Sequence, residues 1–190
     1  MMEASDDFCS DETMQQLLAA AGGDSQRGVE AIGGVLEEFP GDPRLHFLRG
    51  SLLIGLQRFI EAHAALSRAV ELAPDYHIAR FQLGLFELTS GEADAAMATW
   101  GALKALPAGH PLATFAHGLE ALIADRFEQC IEALRAGIAA NDENLPLNRD
   151  MELVIAQCEA LIAARAPSRE EVDRTDAVSA TSFLLRSLKD

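Results

Sequence analysis

The sequence predicts an all-α protein built from stacked helical hairpins, and three observations lead to this fold class. A glycine returns at a constant interval, at Gly50, Gly84 and Gly118. Around each glycine, two apolar-periodic stretches of about 12 to 14 residues are separated by a short polar break, as in a helix-turn-helix unit. The composition, 49% hydrophobic and 6% aromatic, suits a helical stack rich in alanine and leucine. Such a fixed period indicates repeating supersecondary units, which usually form binding surfaces rather than catalytic centres.

The repeat extends well beyond the glycines. Residues 43–74, 77–108 and 111–142 superimpose at this period, with polar breaks at 57–58, 90–92 and 125–126. The shared columns are an aromatic column (Phe47, Phe81, Phe115), a bulky column (Leu66, Trp100, Leu134) and a small column (Ala62, Ala96, Cys130). Pro74 and Pro107 mark two hairpin ends, because proline cannot continue a helix. One period earlier, a degenerate unit has predicted helices at about 12–21 and 26–39.

Each repeated glycine indicates close packing between helices. A glycine in a helix interior costs about 1 kcal/mol relative to alanine, so a recurring cost implies a recurring packing need. We expect each glycine to let the second helix of its own hairpin approach closely, with the small column as the matching surface. The bulky column, four residues further on, then fills the space beyond that contact.

These columns resemble the tetratricopeptide repeat family, whose signature is a helix-turn-helix of about 34 residues with a small residue in the first helix. An alanine and a large residue follow in the second helix, and a proline closes the unit. The unit at 43–74 matches best, with Gly50, Ala62, Leu66 and Pro74 at the family's positions. The resemblance covers about residues 9–142 and implies a right-handed α-solenoid. The repeat domain is then 11–142, in units of about 11–42, 43–76, 77–110 and 111–144.

The flanking segments differ from the repeats. Residues 1–10 indicate an acidic disordered N-terminus, with a lure for a basic partner as the alternative. Residues 145–166 indicate a capping helix that covers the end of the stack. Its predicted apolar face is Leu153, Val154, Ala156, Cys158, Leu161 and Ile162. Residues 167–190 are a polar linker and an amphipathic segment at 177–188, too short to be stable alone. That segment docks in the groove, on the convex face or on a second chain as a homodimer, and the sequence leaves this open.

The resemblance places the candidate binding site on the first helices of the repeats, which in this family line a concave groove for an extended peptide or a helix. The groove columns are Phe47, Ser51, Ile54, Phe81, Leu85, Leu88, Phe115, Leu119 and Leu122. All but Ser51 are apolar, which suits the apolar side of a partner helix. An equally open interpretation is that the phenylalanines complete the packing between adjacent first helices.

The net charge of the chain makes some classes of binding partner unfavourable. Thirty acidic against fifteen basic residues give a net charge of −15, which disfavours binding to nucleic acid and to anionic membranes. No run approaches the 18 apolar residues of a membrane span, and the first residues are acidic, unlike a signal peptide. The three cysteines, Cys9, Cys130 and Cys158, form no close pair, so a reducing cytoplasm is the expected compartment.

The search for chemistry finds no catalytic, cofactor or metal motif. The five histidines lack metal-ligand spacing, and no cysteine has a recognisable histidine partner. Residues 141–144 resemble part of a calcium loop but lack its glycine and distant glutamate, so we expect a turn. We therefore expect a protein that is not an enzyme, with no metal and no cofactor.

The leading hypothesis is a cytoplasmic adaptor or scaffold that binds a protein or peptide in an apolar groove. In a regulatory version, residues 177–188 occupy the groove until a competitor displaces them. The alternative is a small acidic chaperone for secreted substrates, similar to the repeat-containing chaperones of bacterial type III secretion.

Overall fold

The computed structural model describes residues 8–165, and this part of the chain is entirely helical with connecting turns. The helices are α1 Asp11–Gly23, α2 Ser25–Glu38, α3 Pro43–Gly55, α4 Phe59–Leu72, α5 His77–Thr89, α6 Ala93–Trp100, α7 Pro111–Ile123, α8 Phe127–Ala140 and α9 Leu145–Arg165, with a 3-10 helix at Gly101–Ala105. The predicted fold class, an all-α stack of helix-turn-helix repeats, is confirmed. The predictions for residues 1–7 and 166–190 lie outside the described residues.

The chain forms two compact units that divide within α5, between Leu83 and Gly84. In the first unit, α1 pairs with α2, α2 packs on α3, and α3 pairs with α4. Its N-terminal core contains Cys9, Leu17, Ile32, Leu36 and Leu45. In the second unit, α7 pairs with α8, and α9 packs on α8. The role of α9 as a capping helix stays a prediction.

Short polar side chains begin several of these helices. Ser10 accepts a hydrogen bond from the Thr13 N–H at 3.1 Å, and Asp24 accepts one from the Gln26 N–H at 2.9 Å. Asp42 caps α3, where proline occupies the first turn and needs no N–H partner. These caps satisfy N–H groups that have no partner inside the helix.

The turn inside the hairpin recurs at the repeat period. Gln57, Gly91 and Asp125 all have positive φ, at 58°, 91° and 56°. In each turn the following N–H donates to the carbonyl oxygen five residues earlier, as in Arg58 to Leu53 at 2.9 Å. This is the Schellman pattern of helix C-termini, which needs a left-handed residue at that position. Glycine fills it without strain in one repeat, and glutamine and aspartate fill it in the other two.

Two helices differ from the sequence-based expectation. The second helix of the third unit was predicted at about 12 to 14 residues, but α6 ends after 8 residues and continues as the 3-10 helix. Gly101 weakens the helix there, and the tighter winding buries Leu103 completely. In α9 the buried face is Leu147, Met151, Val154, Ile155 and Cys158, whereas Leu153 is 56% exposed. The buried face therefore shares only Val154 and Cys158 with the predicted one and begins earlier in the helix, at Leu147.

Candidate functional site

The repeated glycines make room for the bulky column of their own hairpins. A Cβ atom built on Gly50 would lie 2.7 Å from Leu66 Cγ, and one on Gly118 would lie 2.8 Å from Leu134 Cδ2. On Gly84 it would lie 2.6 Å from Trp100 Cδ1. All three distances are far below van der Waals contact. The close approach was predicted, but its partner is corrected: the glycine faces the bulky side chain directly, not across a small residue.

The small column is buried in every repeat. Its most clearly defined contact is made by Gly28, in the degenerate first repeat. Ala62, Ala96 and Cys130 have no exposed surface. In the degenerate first unit the equivalent residue is Gly28, where a Cβ atom would lie 2.9 Å from both Ala21 and Leu52 Cδ1. Leu52 belongs to the first helix of the next hairpin. At Gly28 the small column thus accommodates the following repeat as well as its own hairpin.

The predicted groove residues separate into two groups by exposure. Phe81, Leu88, Phe115, Leu119 and Leu122 are at most 3% exposed, and Phe47, Ser51, Ile54 and Leu85 are half-buried. Three of the half-buried residues lie on α3 in the first unit, while the equivalent residues of α7 are all buried. Contact with a partner stays a prediction for all nine. The buried five can touch a ligand only after a rearrangement.

Phe115 has a packing role that the sequence left open. A Cβ atom on Gly137 of α8 would lie 2.5 Å from Phe115 Cδ1 and Cε1, so the ring packs directly on the α8 backbone. This contact is made within the α7–α8 hairpin. It favours the packing interpretation for this phenylalanine, and Gly137 is the sequence signal that could have indicated it.

On α3 the aromatic column has a different environment. The Phe47 ring makes an edge-to-face contact with Tyr76, with ring centroids 5.4 Å apart and an interplanar angle of 64°. The Ser51 hydroxyl donates to the Phe47 carbonyl oxygen at 3.0 Å, so its polar group is satisfied within the helix. The half-buried face of Phe47, Ser51 and Ile54, here named the α3 face, is thus predominantly apolar in character.

An ionic cluster around the buried Asp42 was not predicted. Asp42 has no exposed surface, and it accepts hydrogen bonds from the Cys9 N–H at 3.0 Å and from Arg44 Nη2 at 2.8 Å. Arg44 Nη2 also donates to the Cys9 carbonyl oxygen at 2.6 Å, and Nη1 contacts Asp11 at 3.2 Å. The cluster fastens the segment before α1 to the start of α3. The Asp-Pro pair at 42–43 is a sequence signal for a helix cap but not for this long-range contact.

The charges of this cluster are mutually stabilised. Burial opposes ionisation of Asp42, but hydrogen bonds from Arg44 and Cys9 outweigh it and hold the pKa of this carboxyl below its usual value. The hydrogen bonds to Asp42 raise the pKa of the Arg44 guanidinium. Burial, together with Asp42, raises the pKa of the Cys9 thiol. Cys9 therefore stays protonated and weakly reactive.

Within residues 8–165 there is no group of three or more His, Cys, Asp or Glu side chains that could hold a metal ion. His46 and His110 serve the backbone: His46 Nε2 contacts the Pro40 carbonyl oxygen at 2.9 Å, and His110 Nδ1 accepts from the Leu112 N–H at 3.2 Å. The former calcium-loop candidate, 141–144, is a turn closed by asparagine hydrogen bonds.

Among the described helices, none is long and apolar enough to cross a membrane.

Comparison with known proteins agrees with the repeat architecture. Residues 50–110 match the family described as Tetratricopeptide repeat. The chain therefore contains tetratricopeptide-like repeats in this range. The matched range contains the repeated glycines Gly50 and Gly84, the Schellman turn at Gly91, and the buried Trp100.

Two solved structures share this fold. MamA 41-end from Desulfovibrio magneticus RS-1 superimposes with a TM-score of 0.54 at 15% identity, over 83% of this chain and 99% of that one. The MamA RS-1 ArsTM double mutant gives the same TM-score and identity over 94% of this chain and 97% of that one. No curated protein matches the sequence significantly. At this identity the likeness concerns the fold alone, which together with the repeats supports a protein–protein interaction module.

Proposed function

We propose that this protein is a cytoplasmic adaptor whose α3 face binds an extended peptide or the apolar side of an amphipathic helix. One observation carries the proposal. Phe47 and Ile54 keep part of their apolar surface exposed at the family's groove columns, whereas the α7 residues of the same columns are buried. A partner that covers them gains about 25 cal/mol for each Å² of apolar surface removed from water.

The geometry of the α3 face supports an apolar ligand. Its one hydroxyl, on Ser51, already donates to the carbonyl oxygen of Phe47, so it offers little to a polar partner. The edge-to-face contact with Tyr76 holds the Phe47 ring in a defined orientation, which lowers the entropy lost on binding. With a net charge of −15, the partner is a protein or peptide and not a nucleic acid or an anionic membrane.

The test is to alter the α3 face without unfolding the protein. Phe47→Ala with Ile54→Ala removes apolar contact area, and Ile60→Ala is the matched control because Ile60, on α4, is 89% exposed. Partners captured from the native cytoplasm by the intact chain are identified, and the affinity of each is measured by titration calorimetry. We expect the double variant to bind at least about 10-fold more weakly, and the control to bind normally.

Two results would contradict the proposal. Equal affinity of the intact chain and the double variant, with unchanged circular dichroism, would remove the α3 face from the binding site. An equal loss with Ile60→Ala would show that any exposed apolar side chain matters, which is non-specific adhesion. Charged substitutions at Phe81 or Phe115 are unsuitable, because both side chains are fully buried and the fold itself would be lost.

The regulatory version of the proposal assigns the same face to residues 177–188 in the resting state. They carry Val178, Phe183, Leu184, Leu185 and Leu188, and a polar tether joins them to the repeats. Such a tether gives the segment a high effective concentration at the groove. Removing residues 167–190 should then raise partner affinity several-fold. An unchanged affinity would argue against the plug, while the adaptor proposal would stand on the α3 variants.

The alternative proposal is a chaperone for secreted substrates, as in type III secretion. The strong negative charge and the small number of repeats favour it. Genes for a secretion apparatus beside this gene, and capture of a single unfolded substrate, would support the chaperone over the adaptor.

A further inference from the structure

Two buried cysteines meet where the capping helix contacts the last repeat. Cys130 on α8 and Cys158 on α9 have no exposed surface, and their Sγ atoms are 3.8 Å apart. The two thiols lie far apart in the sequence, which is why no pair was expected from it. This contact lies entirely within the second unit and takes no part in the proposed peptide site.

Other contacts hold α9 in register on α8 around the two sulfurs. Beyond one end, the Arg165 guanidinium lies 4.5 Å from the centroid of the Phe127 ring. Arg135 Nη2 donates to Glu159 Oε1 at 2.7 Å across the two helices. At the connection, the Asn148 side-chain amide donates to the Asn141 carbonyl oxygen at 2.9 Å. These contacts flank the two thiols, so the short distance between the sulfurs is a consequence of the whole α8–α9 interface.

We propose that Cys130 and Cys158 form an oxidation site, a dithiol that a peroxide converts into a disulfide joining α9 covalently to α8. A disulfide requires an S–S distance of about 2.05 Å. The sulfurs are already in van der Waals contact, and the remaining gap of under about 2 Å can be closed by rotating the side chains with a small helix shift. The product locks the capping helix onto the last repeat.

The two thiols react in turn across this contact. One thiol of the pair ionises, and its thiolate attacks one oxygen of hydrogen peroxide and becomes a sulfenic acid while hydroxide leaves. The sulfur of the other cysteine then attacks the sulfenic sulfur, the S–S bond forms, and the second oxygen leaves as water. Two thiols and one peroxide give one disulfide and two waters.

Burial makes the reaction depend on motion of α9. Peroxide must reach a sulfur that has no exposed surface, so the reaction proceeds through transient opening of the α8–α9 contact. The rate of disulfide formation should therefore rise in low concentrations of urea that leave the protein folded. Once formed, the disulfide suppresses the same opening, because α9 is then joined covalently to α8.

The test uses the full chain with Cys9→Ser, which leaves only the two thiols of the pair. Cys9 contributes its backbone N–H and carbonyl oxygen to the Asp42–Arg44 cluster, and serine retains both groups. After hydrogen peroxide treatment of the folded variant, we expect both thiols to be lost and the intact mass to fall by about 2 Da. We expect the Tm to rise by about 5–10 °C, and dithiothreitol to reverse all three changes. Peptide mapping should give one cross-linked species.

The matched control is Cys9→Ser with Cys130→Ala, which keeps Cys158 and should gain no disulfide and no rise in Tm. The proposal is overturned if folded Cys9→Ser retains both thiols under peroxide that cross-links the urea-unfolded chain. It is also overturned if the bond forms only between two chains, or if it lowers the Tm. Should Cys9→Ser fail to fold, peptide mapping of the wild-type chain decides between Cys130–Cys158 and any bond to Cys9.

Discussion

Replacing Gly84 by alanine tests the packing role of the repeated glycine most directly. The added Cβ atom would lie 2.6 Å from Trp100 Cδ1 and closer still to Nε1, although contact between such atoms requires more than 3.4 Å. The Trp100 ring is rigid and has no exposed surface, so it cannot move aside as the end of a flexible chain could. Either α6 shifts away from α5 or the tryptophan leaves its rotamer.

Two opposing effects set the magnitude. Alanine gains about 1 kcal/mol of helix propensity over glycine, and overpacking of a tight core costs typically about 1–3 kcal/mol. The overlap at Gly84 is more severe than at Gly50, where Leu66 Cγ lies 2.7 Å from the added atom. We therefore expect Gly84→Ala to destabilise by about 1–2 kcal/mol net, and Gly50→Ala by less.

Urea unfolding followed by tryptophan fluorescence measures this effect locally, because Trp100 is the only tryptophan in the chain. With a slope of about 1–3 kcal/mol per molar urea, the midpoint should fall by about 0.5–1 M. The matched control is Gly34→Ala in α2, where no atom of another helix lies within 4 Å of the added carbon, so that helix should become more stable by about 1 kcal/mol. The control is followed by circular dichroism. A Gly84→Ala protein as stable as the wild type would refute the packing argument.

Three further predictions concern the turns, the ionic cluster and the capping helix. Gln57→Gly should stabilise the fold by relieving a positive φ of 58°, and Gly91→Ala should destabilise it, each by about 1 kcal/mol in thermal unfolding. Asp42→Asn should cost about 2–3 kcal/mol by urea titration at pH 7, because it breaks the ion pair between the buried Asp42 carboxylate and the partly exposed Arg44. Because the pKa of Asp42 is lowered in the fold, its charge stabilises the protein above the unfolded pKa of about 4. The difference in unfolding free energy between wild type and variant should therefore shrink as the pH falls below about 4. A constant difference would contradict this. Arg135→Ala should cost at most about 1 kcal/mol in the same titration, because its ion pair with Glu159 is half-exposed, and a larger loss would mean that α9 depends on this contact.

The fold was predictable from the sequence because its determinants are periodic and local. A glycine, a bulky residue and a turn recur at the same period, and each repetition is an independent indication of the same hairpin. The turn is the clearest example: a polar break in the sequence becomes a left-handed residue at Gln57, Gly91 and Asp125. Prediction was less accurate where one repeat departs from the pattern, as at Gly101, where the α-helix tightens into a 3-10 helix.

The candidate site was harder to predict because exposure depends on contacts between distant residues. Phe47 and Phe115 occupy the same column, yet the structure leaves Phe47 half-buried and seals Phe115 against Gly137 of α8. No periodicity within the aromatic column distinguishes them. The Asp42–Arg44 cluster was missed for the same reason, since its contact with Cys9 spans 33 residues and follows no repeat.

Gly28 and Cys130 occupy the same column of the repeat, and each contacts the helix that follows its own hairpin. The small column contains Gly28 in the first repeat, at 11–42, and Cys130 in the fourth, at 111–144. Gly28 faces Leu52, which belongs to the first helix of the next hairpin. Cys130 faces Cys158, which belongs to α9. In its own unit, α9 thus takes the place that a following first helix would occupy, although it lacks a hairpin partner among the described residues. A large side chain at Cys130 would push α9 away, so the small column extends to the last repeat among residues 8–165. The position of α9 on α8 thus follows the same packing rule as the repeats, and Cys130 and Cys158 meet because that rule requires a small residue at this contact.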